Sequence, residues 1–283
     1  MRKILIACIL IIGFSSAFAQ KEVPTAEQIS KFYKTTTLII LDNNPMMSYN
    51  FKMREAIEKV WKATPFEFIS QEEFEEKRMS DKYSFISLDK VWFTKDKLKA
   101  NYKFLCLSLG GNYKNEKDMP QLCTVPVSYF GVDEESYIYK FSALLQIIQD
   151  HVKMIKENPT INKINVIHQY NKKAGEIKNK TLYVTKEDLA KEINTEAKFK
   201  KVYPYPFKFV SRDELEKIID NKTANVIFLH KVGPEGTKRK ARCWKTMIGA
   251  DDAKLYYFNY HMISAKKPDG LLAKDLKKIA KAK

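Results

Sequence analysis

An α/β fold in two tandem copies of a β-α-β-α-β-β-β-α module is predicted from three observations. The stretch PFKFVSRDELEK (Pro206 to Lys217) repeats PFEFISQEEFEE (Pro65 to Glu76), with Pro, Phe, Phe, Ser and Glu at matching places. Upstream of each lies a threonine-leucine strand, TLIILD from Thr37 and TLYVTK from Thr181. The remaining elements then follow in the same order in both halves, which a chance match over one short window would not produce.

Each opening strand leads into a helix-like stretch. In SYNFKMREAIEKVW, Met53, Ile57, Val60 and Trp61 fall at helical spacing; in EDLAKEINTEAKFKKVY, Leu189, Ile193 and Ala197 do so. Phe66 and Phe68 flank Glu67, and Phe207 and Phe209 flank Lys208, the period of a half-buried strand. Ser70 and Ser211 are placed as N-caps, with Glu73 and Glu214 three residues on at the capping-box position. The acids of QEEFEE therefore read as first-turn residues complementing a helix dipole, not as a catalytic pair. Third strands follow at YSFISL and NVIFLH, then strand pairs. These are NYKFLCLSLGG with LCTVPVSYFGV, where Pro126 marks an edge or bulge, and KARCWKTMIGA with KLYYFNYHMIS. Closing helices are SYIYKFSALLQIIQDHVKMIKENP and PDGLLAKDLKKIAKAK, the second with Leu272, Leu276 and Ile279 on one face. Between the copies, INKINVIHQYNKKAGEIKNK reads as a hairpin-like connector turning at Gly175. Each module would be a mixed sheet with helices on its faces.

Residues 1–20 pair Arg2 and Lys3 with an apolar run from Ile4 to Phe14 and a small-x-small end, Ala17-Phe18-Ala19. This is a signal-peptide pattern, with cleavage expected near Ala19 or Gln20. Its apolar run is shorter than the roughly 20 residues a bilayer span needs, and Cys8 lies too early for a lipoprotein cysteine. A periplasmic or secreted protein is expected, with modules at 21–159 and 160–283 and no later transmembrane segment. Three cysteines remain. Cys106 and Cys123 lie in adjacent strand candidates, where an export compartment could join them or where they could stay as buried thiols. Cys243 is expected to be a buried thiol.

A helix, then FEFIS-QEEFEE, a strand, a strand pair and a long terminal helix resembles the small α/β domain of several envelope proteins. These are the TolB N-terminal domain, the curli-secretion channel's periplasmic domain and the lipoprotein activators of peptidoglycan synthases. The resemblance implies a module that binds a protein partner and has no catalytic centre of its own. The chain departs from that pattern in lacking a glycine ahead of the third strand and in holding two copies.

No catalytic residue, metal ligand set or cofactor is expected. No two of His151, His168, His230 and His261 stand four apart. H-E-x-x-H, C-x-x-C, G-x-S-x-G, P-loop and G-x-G-x-x-G patterns are missing from the sequence. Two ligand-site candidates stand out. Asp42, Asn43 and Asn44 follow the first strand, where α/β sheets place ligands, although these residues also favour turns. The second candidate comes from charge. The net charge is +16; residues 21–160 hold 20 Lys/Arg and 20 Asp/Glu, whereas residues 161–283 hold 28 and 14. The densest basic run is Lys238, Arg239, Lys240, Arg242, Trp244 and Lys245, and basic residues beside an aromatic can hold a polyanion.

Three functions are open on these grounds. The first is a non-enzymatic envelope protein that binds a protein partner. The second is a binder of anionic glycan, lipopolysaccharide or nucleic acid through the second module. The third is an enzyme with a site between the modules.

Overall fold

A computed structural model describes residues 23–93, 96, 100–161, 163–235 and 240–282. The first copy runs α1 (Ala26–Phe32), β1 (Thr36–Ile40), α2 (Ser48–Val60), β2 (Phe66–Ile69), α3 (Gln71–Lys77), β3 (Tyr83–Trp92), β4 (Asn101–Leu109), β5 (Gln121–Tyr129) and α4 (Phe141–Glu157). The second runs α5 (Lys163–Asn171), β6 (Thr181–Val184), α6 (Glu196–Val202), β7 (Phe207–Phe209), α7 (Arg212–Asp220), β8 (Val226–Val232), β9 (Arg242–Gly249), β10 (Leu255–Met262) and α8 (Ala273–Lys281).

The two five-stranded sheets have the same topology. Their orders are β2-β1-β3-β4-β5 and β7-β6-β8-β9-β10. In each, the first three strands in this order are parallel and the last two are antiparallel. The duplicated α/β module is therefore a property of the fold. Its most repeated feature is the start of α3 and α7. Ser70 Oγ accepts from the Glu73 amide while the Glu73 carboxylate accepts from the Ser70 amide, and Ser211 and Glu214 do the same. Those amide hydrogen bonds are the leading cause holding both glutamate pKa values below the ordinary range.

Pairing Phe66 with Thr37 and Phe207 with Leu182 makes Thr37 equivalent to Leu182, one residue away from the threonine-to-threonine match. The shift matters because side chains alternate between faces. In the first copy Thr37, Ser84 and Thr64 join through their hydroxyls, the Thr37–Ser84 link at 2.8 Å. The second copy has apolar Leu182 and Ile227 at the positions of Thr37 and Ser84.

One face of each sheet takes its own helices. Ile39, Ile86 and Leu107 pack under α2 and α4; Val184, Leu229 and Met247 pack under α6 and α8. The opposite faces diverge. In the second copy that face, with Phe228 and Ile248, joins the same core as α7, α2 and α4. Its other end, with Val232 and Trp244, packs on Tyr102, Phe104 and Cys106 of β4. Lys52 and Lys59 of α2 pair with Glu216 and Asp220 of α7 at 3.2 and 3.6 Å. The copies are thus fused by burying one sheet face of the second against the first.

Two expected elements differ. The stretch from Leu189 to Ala197 is not one helix: Leu189 bridges Leu271, and Thr195 caps a helix that starts only at Glu196. The connector is α5 followed by a 3-10 turn through Gly175, not a hairpin. Asn171, at the end of α5, bonds both the amide and the carbonyl of Phe258 on β10, which the α5 helix flanks.

Candidate functional site

The basic run is internal over most of its described length. Arg242 makes a two-pronged pair with Asp96 at 2.9 and 2.8 Å and lies 4.0 Å over the Phe93 ring. Trp244 is buried beneath aromatic residues of the first copy. Lys245 is 1% exposed and bonds Asp275 at 2.8 Å and His261 at 2.9 Å. Lys240 is exposed; Lys238 and Arg239 lie outside the described residues. Arg242 and Lys245, expected at the surface, are internal because distant carboxylates, Asp96 and Asp275, are brought to them by the fold.

The Asp42, Asn43, Asn44 loop is a built turn. Asn50 of α2 accepts from the Asp42 amide at 2.8 Å and donates to the carbonyls of Asp42 and Asn44, both at 3.0 Å. Asp42 Oδ1 accepts from the Asn44 amide at 2.8 Å. These bonds tie the loop backbone to Asn50 in the first turn of α2 and leave exposed Asn43 without a convergent neighbour in the turn.

The Cys106–Cys123 bridge is excluded by register. Cys106 pairs with Thr124 and Leu107 with Cys123, so the two thiols leave opposite faces of the sheet. Both are free and buried, as is Cys243, and burial pushes all three thiol pKa values up. All three thiols are expected to resist a maleimide in the native protein and to react together once urea unfolds it. A Cys106–Cys123 cross-link in the native protein's peptide map would contradict the register. Pro126 sits as expected, on edge strand β5 at a register shift.

Two of the concave sites lie on the duplicated sheet face. The larger is a groove of about 580 Å³ on the first sheet's second face. This face is equivalent to the one by which the second copy docks. Helix α3 (through Phe74) and Met119 cover one part of it, and the second copy covers the Tyr102–Phe104 part. Between them the groove floor includes Ser87, Asp89 and Ser108, with Gln71 and Trp92 also lining it. Trp92 is 55% exposed. Burial is the main cause raising the Asp89 pKa, opposed by hydrogen bonds from Ser87 and Cys106. The groove can therefore meet an apolar side chain at Trp92 and a hydrogen-bond donor at Asp89. The smaller site is a narrow, partly open cavity where the copies meet, lined by Ser128, Lys140, His230 and Lys231 among others.

Among the described residues no cluster of three or more His, Cys, Asp or Glu side chains is arranged to hold a metal, and no helix is long and apolar enough to cross a membrane. The predicted signal segment lies outside the described residues. No family model, curated protein or solved structure matches the chain.

Proposed function

We propose that this is an exported binding protein that holds a protein partner in the groove of its first copy. One observation carries the reading. The same module face occurs twice, and in the second copy it is already a docking surface, buried against helices and a strand of the first. In the first copy the equivalent face keeps an open groove with an exposed tryptophan at its margin. Exposed aromatic residues beside polar groups are frequent anchors of protein interfaces. The resemblance to partner-binding envelope domains points the same way. The polyanion alternative loses Arg242, Trp244 and Lys245, whose side chains are spent inside the fold. The exposed lysines of α8 are a solvated helix face.

The test is affinity capture from the source organism's envelope fraction, with residues 21–283 as bait and parallel washes at low and high salt. Ser87→Arg with Ser108→Arg fills the groove from two half-exposed positions. A partner that survives high salt and falls at least about tenfold with the filled groove supports the proposal, since about 1.4 kcal/mol of lost affinity suffices. Equal capture by both baits overturns it. A partner released by salt but indifferent to the groove would favour the charged surface instead.

A further inference from the structure

We propose that the cavity between the two copies binds one small oxyanion that carries its own proton, of which bicarbonate is the smallest member. The cavity is about 20 Å³, room for between one and two waters. Lys140 is 4% exposed and immediately precedes α4. Its ammonium lies 5.0 Å from the Tyr139 ring, and among the described residues no carboxylate pairs with it. The other cations lining the cavity are matched. Arg212 pairs with Glu235 at 3.3 Å, and Lys231 with Asp188 at 3.7 Å and Asp269 at 3.2 Å. A buried ammonium without a counter-charge is costly, so the cavity favours a single added negative charge.

Two further groups define what that anion must offer. His230 Nε2 lies 2.9 Å from the Pro126 carbonyl, which can only accept, so Nε2 holds the proton and Nδ1 presents a lone pair. That Nδ1 is buried and unpartnered among the described residues; Ser128 Oγ is also buried and interacts with Tyr137 without a close hydrogen bond. Burial, reinforced by Lys140, pushes the His230 pKa down to about 3, so the ring stays neutral. The ligand must therefore supply a negative oxygen to Lys140, an O–H to His230 Nδ1 and an acceptor to Ser128. Formate has the charge but no O–H. Water has the protons but no charge. Hydrogen phosphate is larger and, as a dianion, would be repelled by Asp188.

Thermal unfolding of residues 21–283 at pH 8 would be followed in sodium bicarbonate, sodium formate and sodium chloride at matched ionic strength. Bicarbonate alone is expected to give a saturable rise in Tm of about 2–4 °C. Lys140→Met is expected to raise Tm in chloride, because a buried charge is gone, and to abolish the bicarbonate response. Ser128→Ala deletes one atom and decides the matter if the lysine variant does not fold; its half-saturating bicarbonate concentration should rise about fivefold. Equal Tm values in the three salts, a formate response matching bicarbonate, a normal response in Lys140→Met or an unchanged midpoint in Ser128→Ala would each overturn the proposal.

Discussion

Replacing Trp244 with alanine is expected to cost about 3–5 kcal/mol, the range for truncating a large buried aromatic. The indole is 2% exposed. It stands edge-on to Tyr102 at 4.6 Å and to Phe104 at 5.5 Å, and tilts on Phe93 at 5.8 Å, all three residues of the first copy. Truncation would open a cavity at the junction of the copies, with the Asp96–Arg242 pair two residues away. Urea unfolding followed by far-ultraviolet circular dichroism measures the loss as a lowered midpoint. A cost under about 1 kcal/mol would mean that the contact between copies contributes little to the folded state.

Replacing Asp275 with alanine is expected to cost as much, about 3–5 kcal/mol, because it strands a buried charge. Lys231 and Lys245 stand directly opposite one another on β8 and β9, both buried. Like charges in that arrangement repel. The sheet tolerates them because each has its own carboxylates: Asp188 and Asp269 for Lys231, Asp275 for Lys245. Asp275 also accepts from the Tyr257 hydroxyl at 2.9 Å, Asn259 Nδ2 at 2.7 Å and the Leu272 amide at 3.1 Å. Lys245→Met combined with Asp275→Leu should recover most of the loss, since removing both charges leaves nothing unpaired.

The same carboxylate predicts a pH dependence. Burial by itself would raise the Asp275 pKa; the Lys245 charge and the donated hydrogen bonds outweigh it and hold the pKa below the ordinary value. A folded pKa below the unfolded one gives stability that is full above the unfolded value of about 4 and is lost as pH falls through the folded value. Unfolding free energies between pH 5 and 2 should fall more steeply for the wild type than for the Asp275→Ala variant. Parallel profiles would remove Asp275 from the acid response.

The repeat was legible because its signals are local. A serine cap, a glutamate three residues on and two phenylalanines around a charge lie within 12 residues, and their geometry follows from that spacing. The order of strands and the edge position of Pro126 were legible for the same reason. Register was not: two threonines side by side, Thr36 and Thr37, offered a match one residue out, and only pairing with Phe66 settles which is equivalent to Leu182. The sites were mostly hidden because they are assembled over distance. Asp96 reaches Arg242 across 146 positions, and Asp275 reaches Lys245 across 30. A run that looked like a cationic surface was, in three of its members, the interior of a sheet. Nor does the sequence mark Ser87, Asp89, Ser108 and Trp92 as a groove. It exists because α3 and the second copy cover neighbouring parts of the sheet.

The most direct test of that groove is site-specific photocross-linking in the intact envelope. A photoreactive phenylalanine at position 92 would stand at the groove's margin, and one at position 51 would stand on the solvent-facing side of α2, outside the groove lining. A discrete protein adduct is expected from position 92, lost when Ser87→Arg and Ser108→Arg fill the groove, and not formed from position 51. No adduct from position 92, or the same adduct from both positions, would contradict the proposal.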